Sequence, residues 1–169
     1  MASAGGRTIN AAMPLFNMTD LRAQLLPGQR LLGIDPGSKS VGLALSDVSL
    51  MLASPHSTLR RAKLAENAAS IARIAAKEGV GGLVVGLPLS MDGTAGPAAQ
   101  AARDWTHALS AATGLPAALF DERLSSSAVN RFLIQEADMT RKRRAEVVDR
   151  MAAAYMLQAA LDASRTSPA

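Results

Sequence analysis

Asp35 closes the apolar run RLLGID at 30–35, at the tip of what reads as a buried strand. An Asp-Pro-Gly sequence is also good turn chemistry, with the carboxylate bonding nearby backbone, so Asp35 alone has two readings. Asp149 is harder to explain as a turn. On a helix its neighbours at i+3, i+4, i+7 and i+11 are Ala152, Ala153, Met156 and Ala160. A carboxylate on such a stripe is carried close against whatever the stripe covers. Burying it ionised is costly unless a cation or an arginine such as Arg123 or Arg150 answers it, and the plainer alternative is exposure beside the stripe. Asp121 and Glu122 end the run PAALF-DE, and alternation sends the two to opposite sides of a strand. One of them can enter a site with Asp35 and Asp149, and these residues alone do not say which. Carboxylates from three separate elements suit a hard divalent cation, Mg²⁺ or Mn²⁺. Sites of this kind commonly hold two ions about 3.5–4 Å apart and hydrolyse phosphodiesters without a covalent nucleophile.

The composition agrees by exclusion. Cysteine is absent from the 169 residues, so thiol catalysis and thiolate metal sites are ruled out, and with histidine only at His56 and His107 a histidine-rich zinc site is not expected. Gly37-Ser38-Lys39-Ser40 misses the phosphate-loop spacing, and GVGGLVVG at 79–86 misses the dinucleotide-binding spacing. The chain carries 18 Lys+Arg against 14 Asp+Glu, a formal charge of +4, which favours a polyanionic partner. Four of those cations are consecutive, Arg141-Lys142-Arg143-Arg144, and read as a charged connector just ahead of the Asp149 helix. With Lys39 and Arg123 they could hold a phosphate backbone and make binding strongly salt-dependent. Aromatic residues make up 3%, too few for an extensive stacking platform. No apolar run approaches the ~18–20 residues that cross a bilayer, so no membrane partner is expected and the cytoplasm is the expected location.

Positioning these side chains takes alternating elements. Strands are expected at 30–35 and 41–47, with a third inside 47–60 interrupted near Pro55. A helix over 63–77 stops at Gly79, a central strand covers 82–86, and a helix over 97–113 stops at Gly114. A strand at 116–120, a helix at 125–137 and a long helix at 145–164 complete the order. Asp47 and Asp92 read as turn residues. Meandering strands followed by strand–helix alternation imply one α/β domain over 30–164, a mixed sheet flanked by helices. Residues 1–29 read as an N-terminal extension, flexible, with one short helix around 19–26.

Four ordered segments make the sequence similar to a known family. They are LLGIDPGSKSVGLALSD at 31–47, VVGLPLSMDGTAGPAAQ at 84–100, FDERLSSSAV at 120–129 and RKRRAEVVDRMAAAYMLQAALD at 141–162. Together they resemble the YqgF family of RuvX-like proteins, described as pre-16S rRNA nucleases or Holliday-junction-resolvase-like nucleases. The resemblance implies an RNase H-like fold with a five-stranded mixed sheet. It also implies a metal-binding acid triad that maps onto Asp35, Glu122 and Asp149, and so selects Glu122 over Asp121. It places the loop carried by 86–96 near the active face. The expected activity is metal-dependent endonucleolytic cleavage of structured nucleic acid. Precursor 16S rRNA is the first candidate substrate, branched DNA the second, and a non-catalytic nucleic-acid-binding module the third reading. A monomer or weak dimer is expected. One departure stands out: the first segment often carries Lys-Arg, whereas here Lys39 is followed by Ser40.

Overall fold

The computed structural model describes residues 14–87, 96–122 and 140–165, apart from the side chains of Arg141 and Lys142. The elements run α1 (Met18–Gln24), β1 (Arg30–Pro36), β2 (Ser40–Ser46), β3 (Ala53–Arg60), α2 (Leu64–Glu78), β4 (Val80–Leu87), α3 (Pro97–Thr113), β5 (Ala117–Asp121) and α4 (Arg141–Ala163). The helix expected at 125–137 lies outside the described residues. The five strands form one sheet in the order β3-β2-β1-β4-β5. β2 is antiparallel to β1 and β3, while β1, β4 and β5 run parallel. This mixed sheet with helices on both faces is the RNase H-like arrangement.

Strand alternation splits the core in two. Leu31, Ala44, Val84, Ala118 and Phe120 face α1 and α4, packing with Ala153, Met156, Leu157 and Ala160. Leu32, Ile34, Leu43, Leu83 and Val85 face the other way, packing with Ile71 of α2 and Leu109 of α3. β4 is buried along its whole length, as a parallel strand covered on both faces must be. The expected interruption at Pro55 is instead a bulge inside a continuous β3. The partner of Leu43 is Ser57 and the partner of Ala44 is Pro55, which leaves His56 as the extra residue. β3 is an edge strand, where a proline without an N–H costs no ladder bond.

Two boundaries differ from the sequence reading. Residues 14–29, read as extension, are seated on the domain. Phe16 bridges to Ala118 beyond β5, and Leu21 of α1 is fully buried against the sheet. The cap of α1 is Asn17, whose side chain accepts from the Asp20 N–H at 2.8 Å. Arg22 then donates to the Leu161 carbonyl and the Ser164 hydroxyl, satisfying the carboxyl end of α4 with a cation. The second correction concerns the basic run, which is not a connector. Thr140 accepts from the Arg143 N–H and caps α4, so Arg141–Arg144 form its first turn. Arginine and lysine are good helix formers, and a solvated charge run conceals the start of a helix when its cap is a single threonine.

Asp47 is the turn residue expected of it. Its carboxylate accepts from the Ser49 hydroxyl at 2.6 Å and from the N–H groups of Met51 and Leu52 at 2.8 and 3.1 Å. The Ser49 bond first, then the two backbone bonds, hold its pKa down at about 2. A depressed carboxylate stabilises the fold above its ordinary value of 3.8 and loses that contribution as the pH falls towards 2. Asp47→Ala should therefore lower the melting temperature by about 2–4 °C at neutral pH. The difference from the parent should shrink as the pH falls through that window, and thermal unfolding between pH 6 and pH 2 measures both. No helix among the described residues is long and apolar enough to cross a membrane.

Candidate active site

The carboxyl ends of the parallel strands β1, β4 and β5 and the start of antiparallel β2 share one edge of the sheet. Ligands of open α/β sheets characteristically bind at this edge. Asp35 stands there on β1, on the α4 face, and is 7% exposed. Its neighbours in the sheet are glycines on both sides. Gly42 of β2 is its antiparallel partner. Gly86 of β4 lies one step beyond the Ile34–Val85 pair.

Each glycine gives room to one of the other two acids. A Cβ on Gly42 would run into the Asp149 carbonyl, with the Arg150 nitrogen 3.2 Å away. The α4 backbone therefore rests on β2 at the residue that carries the acid. A Cβ on Gly86 would lie 2.6 Å from Oε1 and 3.1 Å from Cγ of Glu122, so the Glu122 side chain lies across β4. Asp121 pairs with Leu87, which packs on the opposite face with Ala99 and Ala102 of α3. Of the two acids left open by alternation, Glu122 lies on the side of Asp35.

α4 is held in this position along its length. The stripe below Asp149 is buried as its spacing requires, at Ala152, Ala153, Met156 and Ala160. The Thr58 hydroxyl donates to the Glu146 carbonyl at 3.0 Å. Gln158 accepts from the Ala53 N–H at 2.9 Å and donates to the Met51 carbonyl at 3.0 Å. The Asp149 carboxylate itself is engaged by Ser40, whose hydroxyl donates to Oδ2. Ser40 therefore touches one of the acids, an interaction visible in the sequence only as the absence of a second basic residue after Lys39.

Asp35, Glu122 and Asp149 thus share an edge and a face. Asp35 and Glu122 each have polar interactions besides these contacts. Among the described residues, no three Asp, Glu or His side chains meet closely enough to enclose an ion. The donors are nonetheless all hard oxygens; Gly86 leaves room for the Glu122 carboxylate and Gly42 for the α4 backbone at Asp149, on either side of the buried Asp35. This set fits a magnesium-class cation and offers nothing to a softer metal. The histidines take no part. His56 pairs with Glu78 at 3.2 Å, Glu78 also lies 3.9 Å from Arg30 at the start of β1, and His107 is exposed on α3.

Beside Asp149, between the β2–β3 edge and the first turns of α4, opens a cleft of about 550 Å³. Lys39 and Arg60 line it together with Ser40 and Glu146. Arg60 pairs directly with Ser40 across the ladder, which places its cation on the face of Asp149. The sequence reading missed Arg60, and only strand register could have supplied it. Arg143 is exposed at the start of α4 and Arg144 is half-buried. Arg123 and the loop at 88–95, which holds Asp92, lie outside the described residues.

An α/β domain that gathers acids at the carboxyl edge of a β3-β2-β1-β4-β5 sheet, beside a basic cleft, belongs to the RNase H-like class. The sequence profile described as "RuvX: Holliday junction resolvase" matches residues 29–163. The chain belongs to this family. A relative from Gluconacetobacter diazotrophicus is 73% identical over 152 residues, covering 90% of this chain and 99% of its own. One from Gluconobacter oxydans is 70% identical over 153 residues, covering 90% and 96%. One from Rhodospirillum rubrum is 50% identical over 151 residues, covering 89% and 94%. All three bear the name "Putative pre-16S rRNA nuclease". A solved RuvC from T. thermophilus, in complex with a Holliday junction substrate, aligns with a TM-score of 0.48 at 16% identity, covering 80% of this chain and 94% of its own.

Proposed function

We propose that this protein is a metal-dependent endonuclease that hydrolyses phosphodiester bonds of structured RNA, with precursor 16S rRNA as its substrate. One observation carries the reading: acidic residues from β1, the end of β5 and α4 share one edge and one face, with Gly86 making room for the Glu122 side chain and Gly42 for the α4 backbone at Asp149, on either side of Asp35. The names of the relatives point to the same substrate. Asp35, Glu122 and Asp149 would hold Mg²⁺ or Mn²⁺. A divalent cation held there would supply charge neutralisation at the scissile phosphate and a lowered pKa for a water.

The chain's own residues supply the rest. Ser40 fixes one oxygen of Asp149, and such bonds orient a ligand carboxylate and set its basicity. Lys39 and Arg60 line the cleft that leads to Asp149 and can take phosphates on either side of the cleaved bond. Residues 141–144 form the first turn of α4, where the helix dipole already disfavours positive charge, so an anion bound to that turn relieves both. Arg123 follows Glu122 directly in the chain and is assigned to the same surface. The protein is expected to act in the cytoplasm as a monomer or weak dimer.

The test offers precursor 16S rRNA and a four-way DNA junction side by side, with Mg²⁺, Mn²⁺ or EDTA. Cleavage of the RNA that EDTA abolishes is expected. Cleavage of the junction alone would assign the domain to DNA, as the family description has it. Cleavage of neither would leave a non-catalytic binding module. Replacing Arg141, Lys142, Arg143 and Arg144 together by alanine keeps the Thr140 cap and the helix propensity. It should weaken RNA binding and reduce the log–log salt slope by about 0.7–0.9 for each phosphate that is no longer neutralised. A slope equal to the parent's would show that this turn does not touch the backbone.

A further inference from the structure

On the other face of the same edge lies a second cavity, of about 250 Å³, walled by Pro36, Gly37, Ser38, Arg61, Ala101 and Trp105 among others. The Arg61 guanidinium lies over the Trp105 ring, 5.4 Å from its centroid. It is also tied down, donating to the Gly37 carbonyl at 2.6 Å. The backbone on either side is equally fixed. Asn67, buried in α2, accepts from the Ala62 N–H at 2.9 Å and donates to the Arg60 carbonyl at 3.0 Å, and the Arg61 N–H donates to the Lys39 carbonyl at 2.9 Å. The result is a preset, exposed cationic plate on an aromatic ring at the mouth of a cavity. An exposed cation–π pair contributes only about 0.5–1 kcal/mol to folding. Stability alone therefore gives little reason to hold an arginine in place from both sides.

We infer that this cavity is a subsite for one unpaired nucleobase of the bound strand, stacked on the Arg61–Trp105 plate with its edge against the small residues of α3. Unstacked bases are typically recognised on aromatic rings and guanidinium planes. At about 250 Å³ the cavity lies just below the usual ligand-cleft range of about 300–1,000 Å³, a size suited to one ring system. Its wall begins at Pro36, the residue after Asp35, so a strand crossing the β1–β2 hairpin would present a phosphate to the acids and the adjoining base to Trp105. The inference rests on the nucleic-acid reading above and adds that the substrate is single-stranded beside the cut.

Trp105 is the only tryptophan in the chain, so its fluorescence reports the site directly. Full-length protein in EDTA is titrated with a short single-stranded RNA and with an abasic strand of equal length, following both anisotropy of the labelled strand and Trp105 emission. Quenching by the RNA and not by the abasic strand is expected. Arg61→Ala should weaken RNA binding about tenfold, within the range of stacking contributions, and leave abasic binding unchanged. Ala101→Leu, made at an exposed helix position so that folding is undisturbed, should fill the cavity and abolish the quenching. Binding without quenching, or equal quenching by both strands, would overturn the subsite while leaving the nuclease reading intact. No binding of either strand would likewise overturn the subsite, whereas the nuclease reading stands or falls on cleavage of precursor 16S rRNA.

Discussion

Asp149→Asn should lower the rate of phosphodiester hydrolysis on the order of 10³-fold, while RNA affinity in EDTA stays within a few-fold of the parent. The substitution keeps the shape of the side chain, and its amide oxygen can still accept from the Ser40 hydroxyl, so α4 should stay in place. Only the negative charge is removed from a set proposed to hold a divalent cation. A metal-assisted step draws several kcal/mol of charge stabilisation from such a set, and each 1.4 kcal/mol is about tenfold in rate. Ser40→Ala makes the complementary change: the charge stays and its orienting bond is removed. Bonds of that kind typically contribute 10–100-fold, so Ser40→Ala should fall between the parent and Asp149→Asn. Single-turnover cleavage with and without excess Mn²⁺ measures both. An Asp149→Asn protein as active as the parent, or a parent active in EDTA, would sink the proposed acid set.

The sequence was legible wherever local chemistry and burial agree. The apolar runs of β1, β2, β4 and β5 fall in the two core clusters, Gly79 and Gly114 end their helices, and the small stripe under Asp149 is buried. It was silent where an interaction is set by register between distant segments. Nothing local in Gly42 or Gly86 says that one receives a helix backbone and the other an acid side chain, because both are simply glycines inside strands. Arg60 looks like any surface arginine until the ladder places it opposite Ser40. The segment at 14–29 was misjudged for a related reason. Its short helix is where the sequence places it, but Leu21 and Arg22 find their partners only on the sheet and at the carboxyl end of α4, which local sequence does not show.

Those two glycines permit a sharper experiment, because their substitutions should fail in different ways. Gly42→Ala drives a methyl group into the backbone carbonyl of Asp149. A helix backbone cannot swing aside as a side chain can, and α4 is anchored on both sides of that point by Thr58 and Gln158. The helix must lift as a body, with a cost of about 1–3 kcal/mol for overpacking and a fall in melting temperature on the order of 5–10 °C. Activity should fall with it, since the lifted residue carries one of the three acids. At Gly86 the obstructing atoms are the far end of the Glu122 side chain. A methyl group there pushes the carboxylate off β4 and leaves the backbone where it was. Gly86→Ala should therefore melt within a degree or two of the parent and still lose on the order of 10²-fold in hydrolysis. Calorimetry and cleavage assays on the pair separate the two effects. A Gly86→Ala protein that is both stable and fully active would show that Glu122 need not lie across β4, and would remove it from the site.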